Sequence, residues 1–225
     1  MSKMVSALVC LCILVFPIYD SFASLDTATI SYESSFSDGS LNIWYTGGSL
    51  TGVGGIYTFN KTQSSGLGNL LPDGSFQGLC VELSQWASSS SNVYNIAVNT
   101  NYYIAELWDR YFDQASQNAQ KAEAFSAAMW EIVYESNPDD WDVGGWNETE
   151  ETGFKCTGLA SGMSDLANNW LDSIDGTQTD SELVILTNDS HQDYIATISE
   201  SIIIPEPITF STLAMGSIFL ILRKK

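Results

Sequence analysis

The sequence predicts an α+β fold, because short runs rich in β-forming residues precede three helical patterns and two more such runs follow them. Hydrophobic residues make up 44% of the 225 residues and aromatic residues 12%, which is enough for a substantial core. No internal repeat and no Pro/Ser-rich linker divides these runs. We therefore expect one folded domain, spanning residues 24–204.

Seven runs of the chain are predicted to be strands. Each is rich in Ile, Val, Tyr, Phe or Thr and is bounded by residues that are typical of turns, such as Gly, Ser and Asn. Five lie before the helices and two after them, namely 27–32, 41–46, 56–60, 76–83 and 93–98, then 182–187 and 193–198.

The middle of the chain changes to helical periodicity. Spacings of three and four residues place five apolar side chains on one face of a first helix: Ile104, Leu107, Trp108, Tyr111 and Phe112. Similar patterns predict a second helix over 118–135 and a third over 159–174. An acidic loop that contains glycines, 137–153, separates these two helices.

The charge balance excludes several classes of function. The chain has 27 Asp and Glu against 8 Lys and Arg, a net charge of −19, so we expect no nucleic-acid partner. One histidine and four cysteines leave little material for a zinc site or a histidine-based catalytic centre. His191 lies in a polar turn and is expected at the surface. We predict no cofactor and no enzyme activity.

Both ends of the chain resemble targeting segments. Lys3 and an apolar run, 5–19, precede Ser21 and Ala23, two small residues on either side of Phe22. This order is typical of a secretory signal peptide, cleaved after Ala23. Near the other end, the uncharged segment 208–222 predicts a short transmembrane helix. Three cations follow it and are expected to stay in the cytoplasm, namely Arg223, Lys224 and Lys225.

The residues Pro205, Glu206 and Pro207 stand directly before this apolar segment. Two prolines hold the backbone extended, as a processing enzyme requires. Pro-Glu-Pro, a short apolar helix and a basic end together resemble the PEP-CTERM sorting signal of Gram-negative bacteria. The resemblance implies an exosortase, the secretion machinery and, transiently, the inner membrane as partners. It also implies a cell-surface or extracellular-matrix location, with exopolysaccharide or other matrix components as further partners.

Two short motifs resemble the thioester domain of bacterial surface adhesins. Cys80 lies in the strand sequence Leu-Cys-Val-Glu-Leu, and the second helix contains Phe-Ser-Ala-Ala-Met-Trp over 125–130. In that family, a strand cysteine and a helix glutamine condense to an internal thioester, which acylates an amine on a target. The resemblance implies antiparallel sheets or a barrel with an inserted segment of three helices.

This chain departs from the family at Ser126, which occupies the position of the glutamine. A serine has no acyl carbon, so Cys80 and Ser126 cannot form a thioester. We therefore predict an adhesion or matrix-organising protein that acts noncovalently. The alternatives are a covalent adhesin that uses another amide, or a secreted polysaccharide hydrolase that uses Glu82 and Glu131 as its carboxylate pair.

Cleavage of the signal peptide would remove Cys10 and Cys12, so two cysteines, Cys80 and Cys156, would remain. An even number in an oxidising compartment favours a Cys80–Cys156 disulfide, and the alternative is a buried free thiol at Cys80. The disulfide would make Cys80→Ser destabilising, whereas we expect Ser126→Ala to change stability little.

The acidic loop also contains possible calcium ligands, Asp139, Asp140 and Asp142. Carboxylate oxygens beside glycines suit calcium, but the spacing is not that of an EF-hand. A solvated acidic turn is the simpler interpretation.

Overall fold

The computed structural model describes residues 25–135, 137–145 and 152–198. The predicted signal peptide, the Pro-Glu-Pro motif, the apolar segment 208–222 and the basic end lie outside these residues. Among the helices in the described ranges, none is long and apolar enough to span a membrane.

Within these ranges the chain forms nine strands and three α-helices. The strands are β1 (Thr27–Phe36), β2 (Leu41–Tyr45), β3 (Gly48–Gly52), β4 (Ile56–Ser65), β5 (Gly74–Cys80), β6 (Asn92–Val98), β7 (Phe154–Thr157), β8 (Leu183–Asn188) and β9 (His191–Thr197). The helices are α1 (Tyr102–Ala115), α2 (Ala119–Tyr134) and α3 (Met163–Leu171). The α+β prediction is confirmed.

Six of the strands close an antiparallel barrel in the order β1-β4-β5-β9-β8-β6. Alternate side chains of a strand point to opposite faces, so each strand contributes one row of residues to the interior. Aromatic rings from different strands fill it: the Phe59 and Tyr194 ring centroids are 4.5 Å apart, and Phe76 and Tyr94 contact the same pair at 5.5 and 5.8 Å. The barrel thus has a packed aromatic core.

The second helix, α2, is buried on almost all sides. Every residue from Ala122 to Ile132 is buried, polar ones included, which is typical of a helix packed between other elements. It contacts α1, α3, β4 and β7. The Phe125 ring lies 6.1 Å from that of Trp108 on α1 and 6.0 Å from that of Trp170 on α3, so the three helices share one aromatic cluster.

A second, three-stranded sheet in the order β3-β2-β7 packs beside α2, and two of its strands were not predicted. The β3 sequence is Gly-Ser-Leu-Thr-Gly, and β7 has only four residues, so neither offers a clear alternating pattern. Because β7 lies between α2 and α3, a strand interrupts the predicted three-helix segment.

Several predicted boundaries were also wrong: β1 and β4, for example, continue beyond the predicted ends at 32 and 60 to Phe36 and Ser65. The strand predicted over 76–83 covers Gly74–Cys80, since the chain leaves the sheet after Cys80. The third helix begins at Met163 rather than at residue 159, because Gly162 before it has a left-handed φ of 79° that a helix cannot contain.

Candidate functional site

The two sequence motifs that resemble a thioester site are in contact. Cys80 is the last residue of β5, and its carbonyl oxygen accepts a hydrogen bond of 2.9 Å from Nε1 of Trp130 on α2. The Trp130 side chain is buried. A buried indole N–H can only donate, so it requires an acceptor such as this carbonyl. The hydrogen bond joins α2 to the barrel.

The Cys80 thiol is buried and protonated. Its Sγ donates to the Glu82 carbonyl oxygen at 2.9 Å. Burial raises the pKa of Cys80 to about 12. Because the thiolate is the nucleophilic form of cysteine, this environment suppresses the reactivity of the thiol at neutral pH.

Ser126 lies one turn before Trp130 on α2, and its hydroxyl is committed to the backbone of Gly55. The Gly55 N–H donates to Ser126 Oγ at 2.8 Å, and the same hydroxyl donates to the Gly55 carbonyl at 3.2 Å. Gly55 has a φ of 130°, and a Cβ there would lie 2.3 Å from the Phe36 carbonyl oxygen. Ser126 therefore fixes a turn before β4 that requires glycine.

This arrangement corrects the expectation for Ser126→Ala. Both backbone groups of Gly55 are buried, and the variant would leave them without the partner that Ser126 supplies.

The two cysteines in the described part of the chain, Cys80 and Cys156, are free and buried, so the predicted disulfide between them is not formed in the structure. Cys80 ends a barrel strand, whereas Cys156 lies on β7 of the small sheet. Burial, and then the charges of Glu123 and Glu131, raise the pKa of Cys156 to about 12. Counting cysteines could not show that the two residues lie in different sheets.

The two carboxylates suggested for a hydrolase, Glu82 and Glu131, have separate surroundings. Glu82 Oε1 accepts from the backbone N–H of Ser84 at 2.7 Å. Glu131 is buried on α2, and its Oε1 accepts from the Asp142 N–H at 3.2 Å. Each carboxylate holds its own loop segment, an arrangement that does not favour a catalytic pair.

Glu131 is the more unusual of these two carboxylates. Burial, with the nearby charges of Glu135 and Asp142, raises the pKa of Glu131 to about 8. Its second oxygen, Oε2, has no hydrogen-bond partner among the residues that the structure describes, a feature that it shares with Glu82 Oε2.

Two of the three calcium candidates, Asp140 and Asp142, act as hydrogen-bond acceptors for protein groups. Asp139 and Asp140 lie in a short 3₁₀ turn, where Asp140 accepts from Asn137 Nδ2 at 2.5 Å. Asp142 Oδ1 accepts from Gly144 N and from Asn168 Nδ2, at 3.0 and 2.8 Å. Among the described residues, no three His, Cys, Asp or Glu side chains are grouped to hold a metal ion.

Two further buried glutamates were missed in the sequence. Glu106 Oε2 on α1 accepts three backbone N–H groups from residues 175–177, at 2.7 to 3.1 Å. Glu123 Oε1 on α2 accepts from Asp38 N and Gly39 N, at 2.6 and 2.7 Å. A glutamate among apolar residues on a helix was the available signal, because a buried carboxylate needs donors.

A cavity of about 430 Å³ opens beside Trp130. Its aromatic lining consists of Tyr32, Tyr57, Trp86 and Trp130. Two amides, Gln85 and Gln192, and the hydroxyls of Ser35, Ser40, Thr51, Ser88 and Ser89 provide the polar lining. None of the described side chains that line this cavity is charged. The sequence could not show it, because the lining residues come from distant parts of the chain, at 32–57, 83–89, 130 and 192.

Comparisons with known proteins add little. No family model matches the sequence, and no curated protein matches it either. A solved structure of the N-terminal thioester domain of a surface protein from Clostridium perfringens aligns with 70% of this chain and 98% of its own length, at 8% identity and a TM-score of 0.40. That TM-score is too low to assign a family, so the resemblance stays a prediction from the two motifs.

We expect Ser126→Ala to destabilise the fold by about 1–3 kcal/mol, the cost of leaving buried backbone groups without partners. Urea unfolding of the variant and the wild type measures this difference. Ser161→Ala removes an exposed serine from a turn and is the control, with an expected change below about 0.5 kcal/mol. Equal, small effects of the two substitutions would show that the Gly55 bonds contribute nothing.

We expect Glu131 to lower stability as the pH rises. Its folded pKa of about 8 exceeds the ordinary value of 4.5, so the folded chain binds more protons than the unfolded chain between these values. The stabilising contribution of the protonated group is complete below pH 4.5 and is lost as the pH rises through 8. The free energy of unfolding of Glu131→Gln minus that of the wild type should therefore increase with pH. We expect this difference to be larger at pH 9 than at pH 4 by on the order of 4 kcal/mol.

Denaturant unfolding across this pH range measures the effect. Glu33→Gln, a change at an exposed glutamate of β1, is the control and should show no such trend. A constant difference between Glu131→Gln and the wild type at every pH would contradict the assignment.

Proposed function

We propose that the chain is an exported cell-surface or extracellular-matrix protein that acts by noncovalent adhesion or by organising the matrix. The observation that supports this most directly is the state of Ser126. Ser126 occupies the position at which the thioester family has a glutamine, whose side chain supplies the acyl carbon. The Ser126 hydroxyl binds the backbone of Gly55 instead.

The chemistry of Cys80 supports the same conclusion. A thioester requires a nucleophilic thiolate and an acyl carbon at bonding distance. The Cys80 thiol is buried and its pKa is raised to about 12. It donates a hydrogen bond to the Glu82 backbone carbonyl. Its surroundings are those of a structural cysteine.

A thioester-domain-like architecture is part of the proposal. The barrel and the helices between β6 and β8 support it, since the resemblance implies both. The bond from Trp130 to the Cys80 carbonyl adds that the strand motif and the helix motif face each other. In this interpretation the scaffold has been kept and the covalent step lost.

One contact favours a second candidate, a covalent adhesin. Gln192 Nε2 donates to the Glu82 carbonyl at 3.0 Å, the same oxygen that accepts from Cys80 Sγ. A glutamine amide thus lies beside the thiol. Attack of Cys80 sulfur on the Gln192 carboxamide carbon would form a C–S bond, break the C–N bond and release ammonia.

Peptide mapping distinguishes the two candidates. The purified chain is alkylated under denaturing conditions without reductant, with and without prior exposure to methylamine, then digested and analysed by mass spectrometry. We expect alkylated thiols at Cys80 and Cys156 and an unmodified Gln192, because both cysteines are free in the structure.

A Cys80–Gln192 link that is lighter by one ammonia, opened by methylamine and absent from Cys80→Ala, would establish the covalent candidate. A Cys80–Cys156 link released by reductant would instead restore the disulfide.

Export and sorting complete the proposal and rest on the sequence of the two ends. The order of Pro205-Glu206-Pro207, an apolar segment and three cations supports processing by an exosortase after transport through the inner membrane. The exosortase and the secretion machinery would be the partners of this step.

Replacing both Pro205 and Pro207 by alanine should block processing, since the extended backbone that the enzyme would bind is lost. In a Gram-negative host that carries an exosortase, immunoblots of cell fractions should show the unprocessed chain in the membrane. Pro138→Ala, in the 3₁₀ turn of the folded domain, is the control and should be released like the wild type. Normal release of the double variant would exclude this sorting route.

A further inference from the structure

We propose that the 430 Å³ cavity beside Trp130 binds a neutral saccharide, with Trp86 on its rim and Gln85 and Gln192 as hydrogen-bond acceptors. This proposal rests on the proposed noncovalent function and names its ligand class. A volume of this size lies within the range of small-ligand sites in proteins.

The first argument is the absence of charge in the lining. The chain has a net charge of −19, yet among the residues that the structure describes no side chain that lines this cavity is charged. A larger cavity of about 960 Å³ elsewhere in the domain is lined in part by the carboxylates of Asp26, Asp180 and Glu182. The cavity beside Trp130 therefore offers an anionic ligand no cation and a cationic ligand no carboxylate.

The second argument is a pair of acceptors without donors. Gln192 is 9% exposed, and its Nε2 is committed to the Glu82 carbonyl, which fixes the orientation of the amide. Gln192 Oε1 and Gln85 Oε1 are both buried and have no partner among the described residues. A buried acceptor without a donor is costly, and ligand hydroxyl groups would supply what these two oxygens lack.

The third argument is the exposed ring at the rim. The Trp86 side chain is 71% exposed, which is unusual for so large an apolar group. Its backbone is nevertheless held in place, because the Trp86 carbonyl accepts from the Gln192 N–H at 3.3 Å. A flat apolar ring carried by this backbone beside hydroxyl and amide groups suits a sugar, which presents an apolar face of C–H groups and an edge of hydroxyls.

The purified full-length chain tests the proposal, in a sugar-free buffer with a detergent that contains no glycoside. Calorimetric titration uses short neutral oligosaccharides of glucose, galactose, mannose and N-acetylglucosamine. Oligosaccharides of uronic acids and of glucosamine provide anionic and cationic comparisons. We expect at least one neutral oligosaccharide to bind more tightly than the charged ones of equal length.

Trp86→Ala and Gln85→Ala are the test variants. Trp86 is exposed, and the Gln85 side-chain oxygen has no partner within the described chain, so neither substitution breaks a bond that holds the fold. Each should weaken binding by about tenfold or more. Tyr102→Ala removes an aromatic ring of 55% exposure at the larger cavity and is the matched control, with no expected effect.

Absence of binding by every neutral oligosaccharide at about 10 mM would overturn the proposal, as would preference for a charged one or binding that Trp86→Ala leaves unchanged. These outcomes differ from failure of the noncovalent function, which would appear as a Cys80–Gln192 link in the peptide map.

Discussion

The hydrogen bond from the Trp130 indole to the Cys80 carbonyl joins the helical layer to the barrel, and the surrounding features depend on it. It fixes α2 against the end of β5, and Ser126, one turn earlier, then reaches the backbone of Gly55. A Cβ on Gly54 would lie 3.3 Å from the Trp130 ring, so the glycine turn packs directly over both side chains. Trp130 also forms one wall of the neutral cavity. One donor-only side chain thus positions the structural serine and the cavity together.

Buried carboxylates provide a second level of organisation. Glu106, Glu123 and Glu131 extend from α1 and α2, and each accepts backbone N–H groups of a loop. Loops lack the regular pairing of strands, so such acceptors satisfy donors that would otherwise need water. Glu106 and Glu123 bind two or more donors through one oxygen. Glu131 accepts one, and burial raises the pKa of Glu131 to about 8. The acidic composition therefore contributes to the interior as well as to the surface.

Local patterns in the sequence were sufficient for the elements with clear periodicity. Apolar spacing located α1 and α2, and β-rich runs between turn residues located all six barrel strands. The small sheet was only partly predicted, because β3 and β7 depend on pairing with β2 rather than on their own residues. The motifs correctly brought Cys80 towards α2, but they could not reveal the bond between Ser126 and Gly55, which joins residues 71 positions apart. The cavity likewise exists only once distant segments have folded together.

The neutral cavity and the acidic surface answer different physical requirements. A net charge of −19 keeps copies of the chain apart at low salt, and it also repels anionic polymers. Recognition through charged groups would couple ligand binding to this field and to the ionic strength. A lining of aromatic rings, amides and hydroxyls instead places recognition in short-range contacts that salt hardly screens. Such a site can hold an uncharged ligand while the surface keeps like chains dispersed, a division of roles that suits the noncovalent function proposed above.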